Sequence, residues 1–254
     1  MLNQYKIINN LRSGNYGKIY KVTYNNSLYV IKEDSNIELL QHEASIYKIL
    51  RDVQFVSKLY DFFLKDNLAY MVIDHFDENL YLYKHKNLNN TNYEVNIIDI
   101  FTIIINTIHE IHNLGYVHRD LKPLNICLKN GIPYIIDFGF TKQIIINKKH
   151  NVEKNIKSII GSYSFISNNV KNNIEPSRRD DIESIMYILL FMFVLKNKEN
   201  NFVGFNINYE EIDELIIKVN KLNIESYKKI LIYVKKMKFS QEPNYNYIIK
   251  ELFV

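Results

Sequence analysis

A change of pattern near Asp77 sets the strongest limit on what this chain can fold into. Ahead of it, Lys6–Leu11, Lys18–Tyr24, Ser27–Lys32, Lys58–Leu64 and Leu68–Ile73 are short β-prone runs. Asn25-Asn26 and Lys65-Asp66-Asn67 stand between neighbouring runs, where tight turns are needed. One helical stretch interrupts them, Asn36 to about Leu50, with Leu39, Leu40, Glu43, Ile46, Tyr47 and Leu50 at helical spacing. Beyond Asp77 the helical period takes over. Val95, Ile98, Phe101, Ile104, Ile105, Ile108, Ile111 and Leu114 mark one long amphipathic helix that stops at Gly115. Short strands are expected around Ile126–Leu128 and Tyr134–Ile136, and helices again from about Ser177. Strands first and helices after predict an α+β chain in a single domain. Its two lobes, 1–76 and 77–254, would meet at a cleft.

His118-Arg119-Asp120-Leu121-Lys122-Pro123-Leu124-Asn125 follows the helix stop and precedes a short strand. It is thus a loop on a scaffold, where catalytic groups are commonly placed. Its residue types suit phosphoryl transfer, which needs a nucleophile held in line, metal ions fixed and developing charge neutralised. Asp120 can accept the proton of a substrate hydroxyl, Lys122 can lie against a γ-phosphate, and Asn125 offers a neutral oxygen to magnesium. Asp137-Phe138-Gly139 follows the apolar Tyr134-Ile135-Ile136, so an anionic oxygen suited to Mg2+ ends a strand. Gly139 is expected to let the backbone turn there, and Phe138 to pack back toward the lobe boundary. Asp-Phe-Gly alone is a common turn string. Shortly after residues 118–125 it reads as the second part of one site.

These two strings at this spacing resemble those of eukaryotic-type protein kinases, and the resemblance covers nearly the whole chain. The segment from Gly161 to Ser184 narrows it to the casein kinase 1 group. Ser167 and Asn169 match that group's Ser-Ile-Asn string, while Asn168 departs from it. Ser177-Arg178-Arg179-Asp180-Asp181-Ile182-Glu183-Ser184 is similar to its Ser-Arg-Arg-Asp-Asp-Leu-Glu-Ser. The vaccinia-related kinases share part of this pattern and are the nearest rival. The resemblance implies a bilobal protein-kinase fold, with an N-terminal antiparallel sheet plus one helix and a mainly helical C-terminal lobe. It also implies transfer of the γ-phosphate of ATP, with Mg2+, to Ser or Thr of protein substrates at acidic or primed sites. Lys122 favours Ser and Thr over Tyr by the family pattern.

Residue roles are implied in the same way. Lys32 would hold the α- and β-phosphates and be held in turn by Glu43, with Asn125 and Asp137 as metal ligands. Gly14, Tyr16, Gly17 and Ile19 would cover the nucleotide, although Arg12 stands where the family has its first glycine. Ile73 would line the back of the adenine slot, with Asp74 and Phe76 offering backbone hydrogen bonds to the purine. Ser162 would use its hydroxyl to tie Asp120 to Lys122, and Asp181 would receive backbone donors from the catalytic loop. Arg178 is left with two readings. Either it contributes to an anion site for acidic or pre-phosphorylated residues, or it forms an internal salt bridge with Asp180 or Glu183. The family's Leu-Pro-Trp-Gln stretch is missing, and Leu195-Lys196-Asn197-Lys198 runs there instead.

Composition removes other classes. With 47% hydrophobic and 24% charged residues the chain can bury a core and is not disordered. A net charge of +4 is a modest excess, and Lys148-Lys149 and Lys235-Lys236 read as solvated faces, so no nucleic-acid partner is expected. No secretory signal pattern opens the chain. The longest apolar stretch, Ile185 to Leu195, falls short of the roughly 20 residues that span a bilayer, so no membrane partner is expected. The single cysteine, Cys127, cannot form an internal disulfide, which points to an intracellular setting, cytoplasmic or nuclear. A monomer without a long regulatory tail is expected. Two rival readings remain. A pseudokinase serving as a nucleotide- or protein-binding module has only Arg12 in its favour, because Lys32, Asp120 and Asp137 are all kept. Kinases of small molecules generally lack Lys122 and the Ser-Arg-Arg-Asp-Asp segment.

Overall fold

The computed structural model describes residues 4–14, 17–87, 93–193 and 223–253. Its first sheet has the order β1-β2-β3-β5-β4, antiparallel throughout. The strands are β1 Lys6–Gly14, β2 Gly17–Tyr24, β3 Ser27–Asp34, β4 Leu59–Lys65 and β5 Leu68–Asp74. Asn25 and Asn26 have φ of 47° and 61°, and Asp66 and Asn67 have 51° and 59°. Two-residue hairpins demand such left-handed backbone, and Asn and Asp tolerate it.

β5 lies between β3 and β4, and its side chains alternate between two cores. Tyr70 and Val72 join Val22, Ile31 and Phe63 on one face. Ala69, Met71 and Ile73 join the larger cluster on the other, with Leu40, Ala44 and Tyr47 of helix α1, Ile37–Ile49. Asn36 caps α1 by accepting from the Leu39 N–H at 3.0 Å.

Beyond Asp74 the chain passes to a second sheet in which β6 (Glu78–Asn79) pairs β8 (Ile126–Lys129), and β8 pairs β9 (Ile132–Ile135). Between them lie α2 (Leu80–Asn87), α3 (Tyr93–Asn113) and β7 (Tyr116–Val117). Gly115 ends the α3 region at φ 85°, and a Cβ there would lie 3.0 Å from the Cβ of Ile145. Conformation and close packing both call for glycine.

The expected apolar face of α3 needs one correction. Val95 and Leu114 are 41% and 47% exposed, whereas Ile97 and Ile100 are buried ahead of Phe101, Ile104, Ile105, Ile108 and Ile111. Isoleucines at 97, 98 and 100 offer two adjacent apolar faces, and tertiary packing selects one.

The remaining elements are β10 (Lys142–Gln143), β11 (Ile145–Ile146), β12 (Lys149–His150), α4 (Asn168–Lys171), α5 (Arg178–Phe193), α6 (Ile224–Lys235) and α7 (Tyr245–Phe253). β7 pairs β10, and β11 pairs β12. Two-residue strands are too short to carry a period, so the sequence does not announce them. Every residue of α5 is buried, and the helix packs against α3 and α6. Each Leu or Ile buried in this way contributes about 1.5–3 kcal/mol relative to exposure. The first turn of α5 is thereby a fixed point beneath the loop of residues 118–125. None of the described helices is long and apolar enough to cross a membrane.

Burial pushes the Cys127 thiol on β8 up to about 12. Alkylation at pH 8 is therefore expected to be about a thousandfold slower than for a free thiol, and to reach the free rate in denaturant. Equal rates in native and unfolded protein would contradict this burial.

Candidate active site

Lys32 lies on β3 opposite Ile19 of β2 and Met71 of β5, so the sheet fixes its Cα on both sides. Its ammonium donates to Glu43 Oε2 at 2.6 Å and to Asp137 Oδ1 at 3.2 Å. Glu43 is 1% exposed on the α1 face that also carries Tyr47. Burial pushes the Glu43 carboxyl up to about 7, with Lys32 opposing the rise. Burial alone would lower the Lys32 ammonium, but Glu43 and Asp137 together raise it above its ordinary value, so it stays charged.

Asp137 sits at φ 65°. The turn after β9 thus has its left-handed residue at Asp137 and not at the expected Gly139, where a Cβ would make only ordinary contacts. The Asp137 N–H donates to the Tyr47 hydroxyl at 3.1 Å. Burial would raise the Asp137 carboxyl, yet Lys32 and Lys122 hold it below its ordinary value. Phe138 is fully buried, edge-on to Tyr47 at 4.9 Å and tilted against His118 at 5.1 Å. This contact locks α1 to the Asp137 turn. The helical spacing places Tyr47 only on the apolar face of α1, and its position four residues after Glu43 is what brings its hydroxyl to the site.

The loop after β7 is held from below. Asp181 Oδ2 accepts the His118 N–H at 2.7 Å, and Oδ1 accepts the Arg119 N–H at 2.9 Å. The fully buried first turn of α5 thus grips a loop whose Arg119 has φ 73°. A non-glycine residue there stores strain that the surrounding bonds must hold. His118 sets the next peptide, since its Nδ1 accepts the Asp120 N–H at 3.3 Å while Nε2 faces the Ile136 carbonyl at 3.2 Å.

Asp120 is 3% exposed. Its Oδ2 accepts from Lys122 Nζ at 2.6 Å and from Asn125 Nδ2 at 3.2 Å. Its Oδ1 has no hydrogen-bond partner among the described residues. Lys122 Nζ also donates to Ser162 Oγ at 2.9 Å. The expected order is therefore corrected: the ammonium stands between the carboxylate and the hydroxyl, and among the described residues the Ser162 hydroxyl reaches Lys122 and not Asp120. Gly161 permits the approach, because a Cβ at its φ of 93° would lie 2.6 Å from the Arg119 carbonyl oxygen. Asn125 turns its amide nitrogen to Asp120, also bonding its backbone carbonyl at 2.9 Å, which leaves the amide oxygen for a cation.

The other site residues fall into place unevenly. Gly14 and Gly17 close the β1–β2 hairpin as paired residues. Gly17 is required by its own sheet, since a Cβ at its φ of 96° would lie 2.0 Å from the Glu33 carbonyl oxygen. Tyr16 lies outside the described residues, as does the stretch 195–198. Arg12 is an exposed residue of β1 paired with Ile19. Ile73 is buried in the main core, and the Asp74 carboxylate accepts from the Lys58 N–H at 2.7 Å and the Tyr60 hydroxyl at 3.0 Å. Phe76 follows in the crossing between the sheets, its ring 5.3 Å from Tyr134.

Arg178 does not join the site. It is 7% exposed, donates to the Ser240 carbonyl at 2.9 Å and lies 3.9 Å from Glu242. The salt-bridge reading is corrected by this geometry: the guanidinium is a buried strut to the segment before α7, and its ionic partner is Glu242 rather than Asp180 or Glu183.

Comparison with known proteins agrees with this geometry. The family model described as protein kinase domain matches residues 5–252. A "probable casein kinase I homolog" of Encephalitozoon cuniculi is 25% identical over 269 residues, covering 96% of this chain and 82% of its own length. A "probable serine/threonine-protein kinase" of Dictyostelium discoideum is 26% identical over 198 residues, covering 74% of this chain. That match spans 40% of the Dictyostelium protein. The solved structure of vaccinia related kinase 3 superposes with a TM-score of 0.73 at 16% identity, covering 97% of this chain and 85% of that one. At that identity it shows the fold alone.

Proposed function

Because the chain belongs to the protein kinase domain family, we propose that it transfers the γ-phosphate of ATP to Ser or Thr of protein substrates as a casein kinase 1-like enzyme. One observation carries this reading. Lys32 of the sheet meets Asp137 at 3.2 Å, while Asp120, Lys122 and Asn125 stand together on the adjoining loop.

The donor set fits a nucleotide with a hard cation. Asp137 keeps an ionised carboxylate with a 36% exposed side chain, and Asn125 contributes a neutral oxygen. Asp137 and Asn125 would hold Mg2+, which would supply positive charge to neutralise the phosphates. Lys32 would bind the α- and β-phosphates, oriented by Glu43. Asp120 would accept the hydroxyl proton at Oδ1, the oxygen that no described protein group satisfies. Lys122 would hold the γ-phosphate while Ser162 fixes its ammonium. Gly14, Gly17 and Ile19 would cover the nucleotide, with Ile73, Asp74 and Phe76 at the adenine. The Asp74 side chain braces the start of β4, which leaves its role at the purine to the main chain. A preference for acidic or primed sites draws no support from Arg178 and rests on the resemblance to the casein kinase 1 group.

Radiolabelled ATP supplied with casein and, separately, with a Tyr-only peptide tests the proposal. Label is expected on casein Ser and Thr and absent from the Tyr peptide. ATP binding with no transfer to either would sink the enzyme reading in favour of a binding module.

A further inference from the structure

Asp181 receives a third bond that the catalytic loop does not supply. His112, near the end of α3, places Nε2 at 2.9 Å from Asp181 Oδ2, and its Nδ1 lies 2.6 Å from the hydroxyl of Tyr245 at the start of α7. All three side chains are buried, at 1%, 1% and 3% exposure. The Tyr245 ring also stacks on His109, with centroids 4.0 Å apart and planes 15° from parallel.

The bonding direction follows from donor capacity. An ionised carboxylate only accepts, so the nitrogen facing Asp181 carries the proton. In a neutral imidazole Nδ1 is then the acceptor, and the Tyr245 hydroxyl donates to it. Burial favours this neutral ring, lowering the His112 imidazole below its ordinary value even though Asp181 works against the shift. Burial would raise the Asp181 carboxyl, but the bond from His112 and the loop amides hold it below its ordinary value. The row therefore runs Tyr245 O–H to His112 Nδ1, and His112 Nε2–H to Asp181. From there it continues to the His118 and Arg119 amides that precede Asp120.

We propose that Tyr245 and His112 are positioning residues for phosphoryl transfer, coupling helix α7 to Asp120 through the orientation of Asp181. This rests on the kinase reading. Asp181 must keep one oxygen on each of two successive amides to hold Arg119 in its left-handed conformation. His112 is the group that sets the plane of that carboxylate. Tyr245 sets the tautomer and tilt of His112. Neither touches substrate, so the consequence falls on the reaction step and spares nucleotide binding.

Tyr245→Phe removes only the hydroxyl. Its kcat is expected to fall about tenfold, with KM for ATP within about twofold of wild type. A merely structural role would lower thermal stability and leave kcat intact below the transition. His112→Gln can present an amide N–H where Nε2–H stood, and should retain several-fold more kcat than His112→Leu. Full kcat in folded Tyr245→Phe, or equal activity of the Gln and Leu variants, overturns the proposal. Should the variants fail to fold, nitrogen NMR of the wild-type protein decides between tautomers. A neutral His112 protonated at Nε2 is expected, and protonation at Nδ1 overturns the proposal. Failure of the kinase reading would show separately, as absence of transfer by the wild-type protein.

Discussion

Asp120→Asn is expected to lower kcat for protein phosphorylation by at least about 100-fold, the range lost with a general base, while the fold and ATP binding persist. The asparagine oxygen can stay where Oδ2 accepts from Lys122 and Asn125. Its amide nitrogen then takes the place of Oδ1, which has no partner to lose among the described residues. The shape of the loop is thus preserved, and the proton acceptor is gone. Lys32, Glu43 and Asp137 are untouched, so the affinity for an ATP analogue should stay within a few-fold of wild type. Single-turnover transfer from labelled ATP measures the first quantity and equilibrium titration the second. A variant within tenfold of wild-type kcat would remove Asp120 from the role of base.

Lys32→Met is expected to be nearly as severe by a different route, with kcat/KM for ATP falling by about 100-fold or more. The change removes the ammonium between two carboxylates and leaves Glu43 buried without its cation. Breaking a fully buried ion pair costs about 3–5 kcal/mol. Two features reduce that figure here. The Lys32 side chain is 22% exposed, and a Glu43 carboxyl already raised to about 7 takes up a proton near neutral pH at little cost. The variant should therefore fold, with a melting temperature lowered by several degrees. Adding Glu43→Leu removes the stranded carboxyl and should recover much of that loss without restoring transfer. Recovery of activity in the double variant would mean that Lys32 serves only to neutralise Glu43.

The parts of the site that could be read in advance are those whose chemistry is local. His118 to Asn125 and Asp137-Phe138-Gly139 carry their ligand types at short spacing, after a helix stop and after a strand respectively. The turns at Asn25-Asn26 and Asp66-Asn67 were legible for the same reason, because the residue type itself tolerates the backbone required. Glu43 was legible because helical spacing put it beside core residues of α1. The phase of the α3 face was not, because neighbouring isoleucines satisfied two faces equally well.

By itself the sequence determined an α+β chain of strands followed by helices, the catalytic-loop string and the residue types that can meet a phosphate and a metal. Tertiary structure alone decided who meets whom. It turned Arg178 into a strut on Ser240, placed Lys122 between Asp120 and Ser162, and gave the left-handed turn to Asp137. It also joined Tyr245 to His112 across 133 residues of chain. The physical reason is range. Backbone period, turn preference and ligand type act over a few residues, whereas the partner of a buried polar group is chosen by how whole helices pack around α5.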